Sequence, residues 1–116
     1  MKHLESKLQI ECVKWFRYQY PNYRMLLFAI PNGGKRNAIT AQILKSEGVV
    51  SGVADLFLSI PKGKFHGLYI EMKYGKGIQS DNQKEFEKNV IAMGYKYIIT
   101  NSLYDFVKEI DLYMGS

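Results

Sequence analysis

The sequence predicts an α/β domain, a mixed central sheet flanked by helices in the order α-β-α-β-β-α-β-α. Two observations carry that prediction. Segments with apolar residues at helical spacing alternate with shorter β-branched and aromatic runs. Two of those runs, Gly48–Ile60 and Leu68–Lys73, flank a Pro-Lys-Gly-Lys turn, which marks a hairpin. At 116 residues the chain has room for one core and not for two, so 1–116 reads as a single domain.

Leu4 to Tyr20 reads as the first helix, with Leu8, Cys12, Trp15 and Phe16 on the same broad stripe as Leu4. Glu5 falls inside that apolar arc and Glu11 at its other edge, so both are candidates for an inward acid. A place in the first turn, where an acid suits the helix dipole, explains Glu5 equally well. Pro21 and Asn22 end the helix. Tyr23 to Ile30 reads as a strand, followed by the turn-forming segment Pro31 to Asn37 with Lys35 and Arg36 as adjacent cations. Ala38 to Glu47 follows as a short helix with Ile39 and Ile43 inward, closed by Gly48.

The hairpin occupies roughly Val53 to Lys73. After a loop carrying Lys76, Ser80 and Gln83 have capping-box form and open a helix with Phe86, Val90 and Met93 inward, ended by Gly94. Tyr95 to Thr100 is the last strand. Ser102 caps a final helix through about Tyr113, with Leu103, Phe106, Val107 and Ile110 inward.

Composition narrows the function classes. An apolar share of 47% and a charged share of 23% belong to a folded chain rather than a disordered one. A net charge of +5 is compatible with a polyanionic partner. Cys12 is the single cysteine, which excludes an intrachain disulfide and a cysteine zinc site and fits a reducing compartment. The first residues hold no apolar signal-peptide core, and the longest apolar run, Met25 to Ile30, is far short of a membrane span. The expectation is a cytoplasmic protein with no membrane partner. Phosphate-loop and dinucleotide fingerprints are absent.

Acidic residues interrupt the hairpin where strands are buried. Asp55 stands at the mouth of the first run and Glu71 inside the second, with Lys73 two residues on and hence on the same strand face. Burying unpaired charge is costly. A divalent metal is one reason for such a patch, since it takes hard oxygen ligands and offsets carboxylate repulsion. The Met72 carbonyl lies beside the acids as a further ligand. With Mg²⁺ bound, the set suits phosphodiester hydrolysis, the metal activating water and Lys73 holding the attacking water or stabilising transition-state charge. An Asp55 turn cap with a Glu71–Lys73 ion pair at a sheet edge fits the same residues.

Taken jointly, several motifs resemble the VRR-NUC nuclease family of the restriction-endonuclease-like, PD-(D/E)xK superfamily. They are Glu5-x-x-Leu8, Pro31 to Arg36, Glu47 to Leu56, Ile70-Glu71-Met72-Lys73, Gln79 to Gln83 and Met93-Gly94-Tyr95, and the resemblance runs from about Leu4 to Phe106. It implies a Mg²⁺- or Mn²⁺-dependent DNA endonuclease on a restriction-endonuclease-like fold. Asp55 and Glu71 would bind the metal, Glu5 would point toward it, Lys73 would serve catalysis, and Gln83 would approach from the following helix. Small stand-alone members are similar to Holliday-junction resolvases, which act as homodimers on branched DNA, and often come from bacteriophages or mobile elements; the resemblance thus implies a homodimer here. The expected setting is therefore a bacterial or phage-infected cell. Ala54 departs from the proline that usually precedes the metal Asp, which loosens the backbone there but removes no ligand. A non-catalytic nucleic-acid-binding module on the same fold is the alternative, with Lys35, Arg36, Lys62, Lys64 and Lys76 as phosphate contacts in either case.

Overall fold

A computed structural model describes residues 2–31 and 37–115. The elements are helix α1 (Lys2–Gln19), a 3-10 turn (Pro21–Leu26), strand β1 (Leu27–Ala29), helix α2 (Ala38–Ser46), strands β2 (Leu56–Leu58) and β3 (Leu68–Met72), helix α3 (Asp81–Ala92), strand β4 (Lys96–Thr100) and helix α4 (Leu103–Gly115). The strands form one sheet in the order β1-β2-β3-β4, antiparallel across the first two pairings and parallel between β3 and β4. The parallel step needs a crossover, and α3 supplies it.

Side-chain alternation gives the sheet two different faces. Leu56, Leu58, Leu68, Ile70 and Met72 are fully buried and join Leu8, Cys12 and Phe16 of α1 and Phe106, Ile110 and Tyr113 of α4 in one core. The other face is an aromatic ladder in register, Phe28 beside Phe57, Phe57 beside Tyr69 and Tyr69 beside Tyr97. Phe57 and Tyr69 lie 4.5 Å apart between ring centroids, and Phe86 of α3 meets Tyr69 edge-on at 5.1 Å. Glu71 lies on this second face, one alternation beyond Tyr69.

Several sequence expectations need correction. The strand expected from Tyr23 to Ile30 is confined to Leu27–Ala29, because Pro21 at the start of a turn pre-sets helical φ and the chain runs as 3-10 through Leu26. Ile39 and Ile43 do not point inward; they are 74% and 52% exposed, while Thr40 and Leu44 are the half-buried positions. Both pairs have i, i+4 spacing, so periodicity alone cannot say which stripe a short, sparsely packed helix turns inward. Met93 is exposed because it is the C-cap of α3, and Leu103 is exposed at the start of α4, where Tyr113 is buried instead. Gly48 and Gly94 terminate α2 and α3 in the left-handed region, as the sequence indicates. No described helix is long and apolar enough to cross a membrane.

Candidate active site

The hairpin register fixes the site. Leu56 faces Ile70 across β2 and β3, so one step outward Asp55 faces Glu71. Directly opposed residues have Cβ atoms about 5 Å apart, which brings the two carboxyls together. Asp55 Oδ2 accepts the Met72 N–H at 2.8 Å, closing the mouth of the hairpin with a side chain where the ladder stops. The Lys73 N–H bonds the Thr100 carbonyl of β4 at 2.9 Å. In a trans peptide the N–H and C=O point opposite ways, so the Met72 carbonyl is directed away from β4, toward the side where Asp55 lies.

Glu71 is 2% exposed. Its Oε2 accepts from Gln83 Nε2 at 2.8 Å and lies 3.7 Å from Lys73 Nζ. Its Oε1 is buried and meets no hydrogen-bond donor among the described residues. Most buried polar atoms are paired, so this orphan oxygen next to a second carboxyl is where a cation or a proton belongs. Burial first, then the Asp55 charge, pushes the Glu71 carboxyl up to about 8, with Lys73 opposing, and the two acids are close enough to share a hydrogen bond. Burial likewise raises Asp55, against the Met72 N–H, which favours its charged form.

Gln83 is held from two sides. Its Oε1 accepts the Ser80 N–H at 2.9 Å, while Ser80 Oγ accepts the Gln83 N–H at 3.2 Å, completing the capping box. The amide N–H₂ end is thereby aimed at Glu71, so the cap and the contact to the acid are one arrangement. The start of α3 is in turn seated on the loop before β2. A Cβ on Gly52 would stand 2.5 Å from the Asn82 carbonyl carbon, and Asn82 Nδ2 donates to Ser51 Oγ at 3.0 Å.

Glu5 stands at the rim. A cleft of about 380 Å³ is lined by His3, Glu5, Ser6, Gln9, Asp55 and Met72. Glu5 Oε2 faces the Tyr74 N–H at 3.4 Å, and its charge is felt by both Asp55 and Glu71. Among the described residues it does not close a three-acid metal cluster. Glu11 is exposed and does not line the cleft. Lys76 is exposed on the loop beside the site. Lys62 and Lys64 lie at the far end of the hairpin, where Lys62 bridges to Phe65 and Lys64 stacks 5.6 Å over the Phe65 ring. Lys35 and Arg36 lie outside the described residues.

Sequence reasoning missed one neighbour of the acids. Gln79 donates to Glu87 at 2.9 Å and to the Tyr97 hydroxyl at 3.3 Å. Tyr97 is pushed up to about 12, chiefly by burial, with the negative charges of Glu71, Glu87 and Asp55 adding to it. Its place next to Glu71 depends on the parallel pairing of β3 with β4, which no local pattern announces.

With this geometry in hand, comparison with solved structures is informative. A VRR_NUC domain protein superposes with a TM-score of 0.84 at 24% identity, over 96% of this chain and 88% of that one. The chain has the VRR_NUC domain fold. Its mixed sheet flanked by helices is thus restriction-endonuclease-like, as the motifs imply. Neither a protein-family model nor a curated protein matches the sequence itself.

Proposed function

We propose that the chain is a VRR-NUC nuclease, a metal-dependent DNA endonuclease that hydrolyses phosphodiester bonds at Asp55, Glu71 and Lys73. The observation that carries the reading is the pairing of Asp55 with a buried Glu71 whose Oε1 meets no donor among the described residues. Two opposed carboxylates beside one lysine make a poor structural ion pair. They make a fitting donor set for Mg²⁺ or Mn²⁺, which takes one or two carboxylates and keeps several waters. Asp55, Glu71 and the Met72 carbonyl would hold the ion, and Glu5 at the rim would act through its waters.

A bound divalent ion would supply charge relief on the phosphate and a more acidic water. The protein's own groups do the rest. Gln83 pins Glu71 Oε2, so the carboxylate keeps its orientation when it loses its proton. Lys73, mostly covered and 3.7 Å from Glu71, presents an ammonium that can hold the attacking water and stabilise charge growing on the phosphoryl oxygens. The cleft between α1 and the hairpin mouth admits a phosphate to the acids. Lys76 would contact a flanking phosphate, with Lys62 and Lys64 serving a more distant part of the DNA, and Lys35 and Arg36 stand as phosphate contacts on the sequence alone.

The preferred substrate on this reading is branched DNA of the Holliday-junction kind. Symmetric cutting of a junction needs two active sites, which a homodimer provides. The test is a cleavage panel of four-way, flap, nicked and linear DNAs with Mg²⁺, Mn²⁺ or chelator, beside Lys73→Ala. The reading expects metal-dependent nicking of a branched substrate by the wild type and none by the variant. Binding of all the DNAs without any cleavage would leave the non-catalytic module instead.

A further inference from the structure

A second cleft lies farther along α1 from the catalytic one. It is open, about 940 Å³, and lies between the last turn of α1, the 3-10 turn and the start of β1. Arg17 and Arg24 line it, together with Met25, Leu26 and Phe28 and with no acidic residue. Both arginines are exposed, and neither forms an ion pair with a described carboxylate. Met25 is 86% and Phe28 46% exposed, so apolar surface stands in water beside unneutralised charge. A folded core has no use for that combination, whereas a nucleic-acid strand offers phosphates and flat sugar and base surfaces together.

The two clefts are aligned. Ser6 lines the catalytic cleft and Arg17 the second one. Eleven residues make about three helical turns, so the two side chains share one face of α1 about 16 Å apart. The opposite wall runs the same way. Ile30, just past β1, donates its N–H to the Asp55 carbonyl at 2.9 Å, while Leu27, at the strand's start, lines the arginine cleft. One helix face and one edge strand thus lead from the acids to the two guanidiniums.

We propose that this second cleft is a DNA contact, in which Arg17 and Arg24 hold the backbone of a strand whose scissile phosphate lies at Asp55 and Glu71. At about 3.4 Å of strand per nucleotide, the separation corresponds to roughly five nucleotides. The position of the scissile bond rests on the nuclease reading; the contact itself does not. Arginine serves both jobs here, forking onto phosphate and stacking on a base.

The test uses the Arg17→Ala/Arg24→Ala double variant and the corresponding lysine pair. DNA binding in chelator is followed by fluorescence anisotropy over a range of NaCl. Loss of two phosphate contacts should weaken binding about tenfold at moderate salt and reduce the salt slope of log K by about 1.8. The lysine pair should keep the slope, which a merely structural role of the arginines would not predict. With Mn²⁺, wild type should cut a substrate whose arm extends eight nucleotides past the cut faster than one with three, and the alanine variant should lose that preference. Unchanged affinity and slope in the alanine variant overturn the proposal. A wild type that cuts no DNA, yet binds it through these arginines, sinks the nuclease reading and supports the contact.

Discussion

Replacing Glu71 with glutamine should make the metal-free chain more stable at neutral and alkaline pH while leaving it inactive. The folded carboxyl is pushed up to about 8 from an ordinary value of 4.5. Between those values the folded chain keeps a proton that the unfolded chain has released, so folding stability falls as pH rises through this window. The slope for one group is about 1.4 kcal/mol per pH unit, which makes the cost at pH 7 roughly 3 kcal/mol. Glutamine has no proton to lose. Its carbonyl can still accept from Gln83, and its amide can donate to Asp55 where the shared proton stood. For a chain of this size, roughly 3 kcal/mol corresponds to a rise in Tm of about 10 °C. The assay is thermal unfolding of both proteins in chelator from pH 5 to 8. The two curves should nearly meet at pH 5 and separate steadily toward pH 8. Adding Mn²⁺ should then raise the wild-type Tm far more than that of the variant, since the proposed site needs both carboxylates to hold the ion. A variant that melts at or below wild type at pH 8, or a difference that does not change with pH, would show that the buried carboxyl is not under the strain inferred for it.

Other substitutions separate chemistry from scaffold. Lys73→Ala should lower cleavage by about a hundredfold or more, the scale for losing one charge-stabilising group, with DNA affinity near that of wild type; a single-turnover assay and a binding titration decide it. Gln83→Ala removes both the capping box and the pin on Glu71, so unfolding in urea should show a loss of about 1–3 kcal/mol, accompanied by weaker metal-dependent activity. Gly52→Ala forces a Cβ against the Asn82 backbone in a left-handed conformation, and the midpoint of denaturation should drop by roughly 2 kcal/mol or more.

The element order and the clustering of the candidate site residues were legible in the sequence for physical reasons. Alternation put Glu71 and Lys73 on one face, and the hairpin signal brought Asp55 opposite Glu71. The Ser80–Gln83 spacing announced a capping box, and the structure adds that the same box aims Gln83 at the acid. What stayed hidden depends on tertiary packing. The inward stripe of α2 could not be chosen between Ile39/Ile43 and Thr40/Leu44 without knowing how little packs against that helix. The 3-10 turn before β1 was hidden by a β-rich composition, Tyr23 to Ile30, which Pro21 overrides. Tyr97 beside Glu71, and the arginine cleft at the far end of α1, follow from strand order and helix placement, which one-dimensional patterns do not carry.

Direct titration with Mn²⁺ tests the proposed ion site between Asp55 and Glu71 without waiting for a substrate. Calorimetry at pH 7.5 should find one ion bound per chain, with protons released as Glu71 gives up its own, and Asp55→Ala should abolish both signals. Undiminished binding by that variant, or no binding and no proton release by the wild type, would contradict a metal site at this pair.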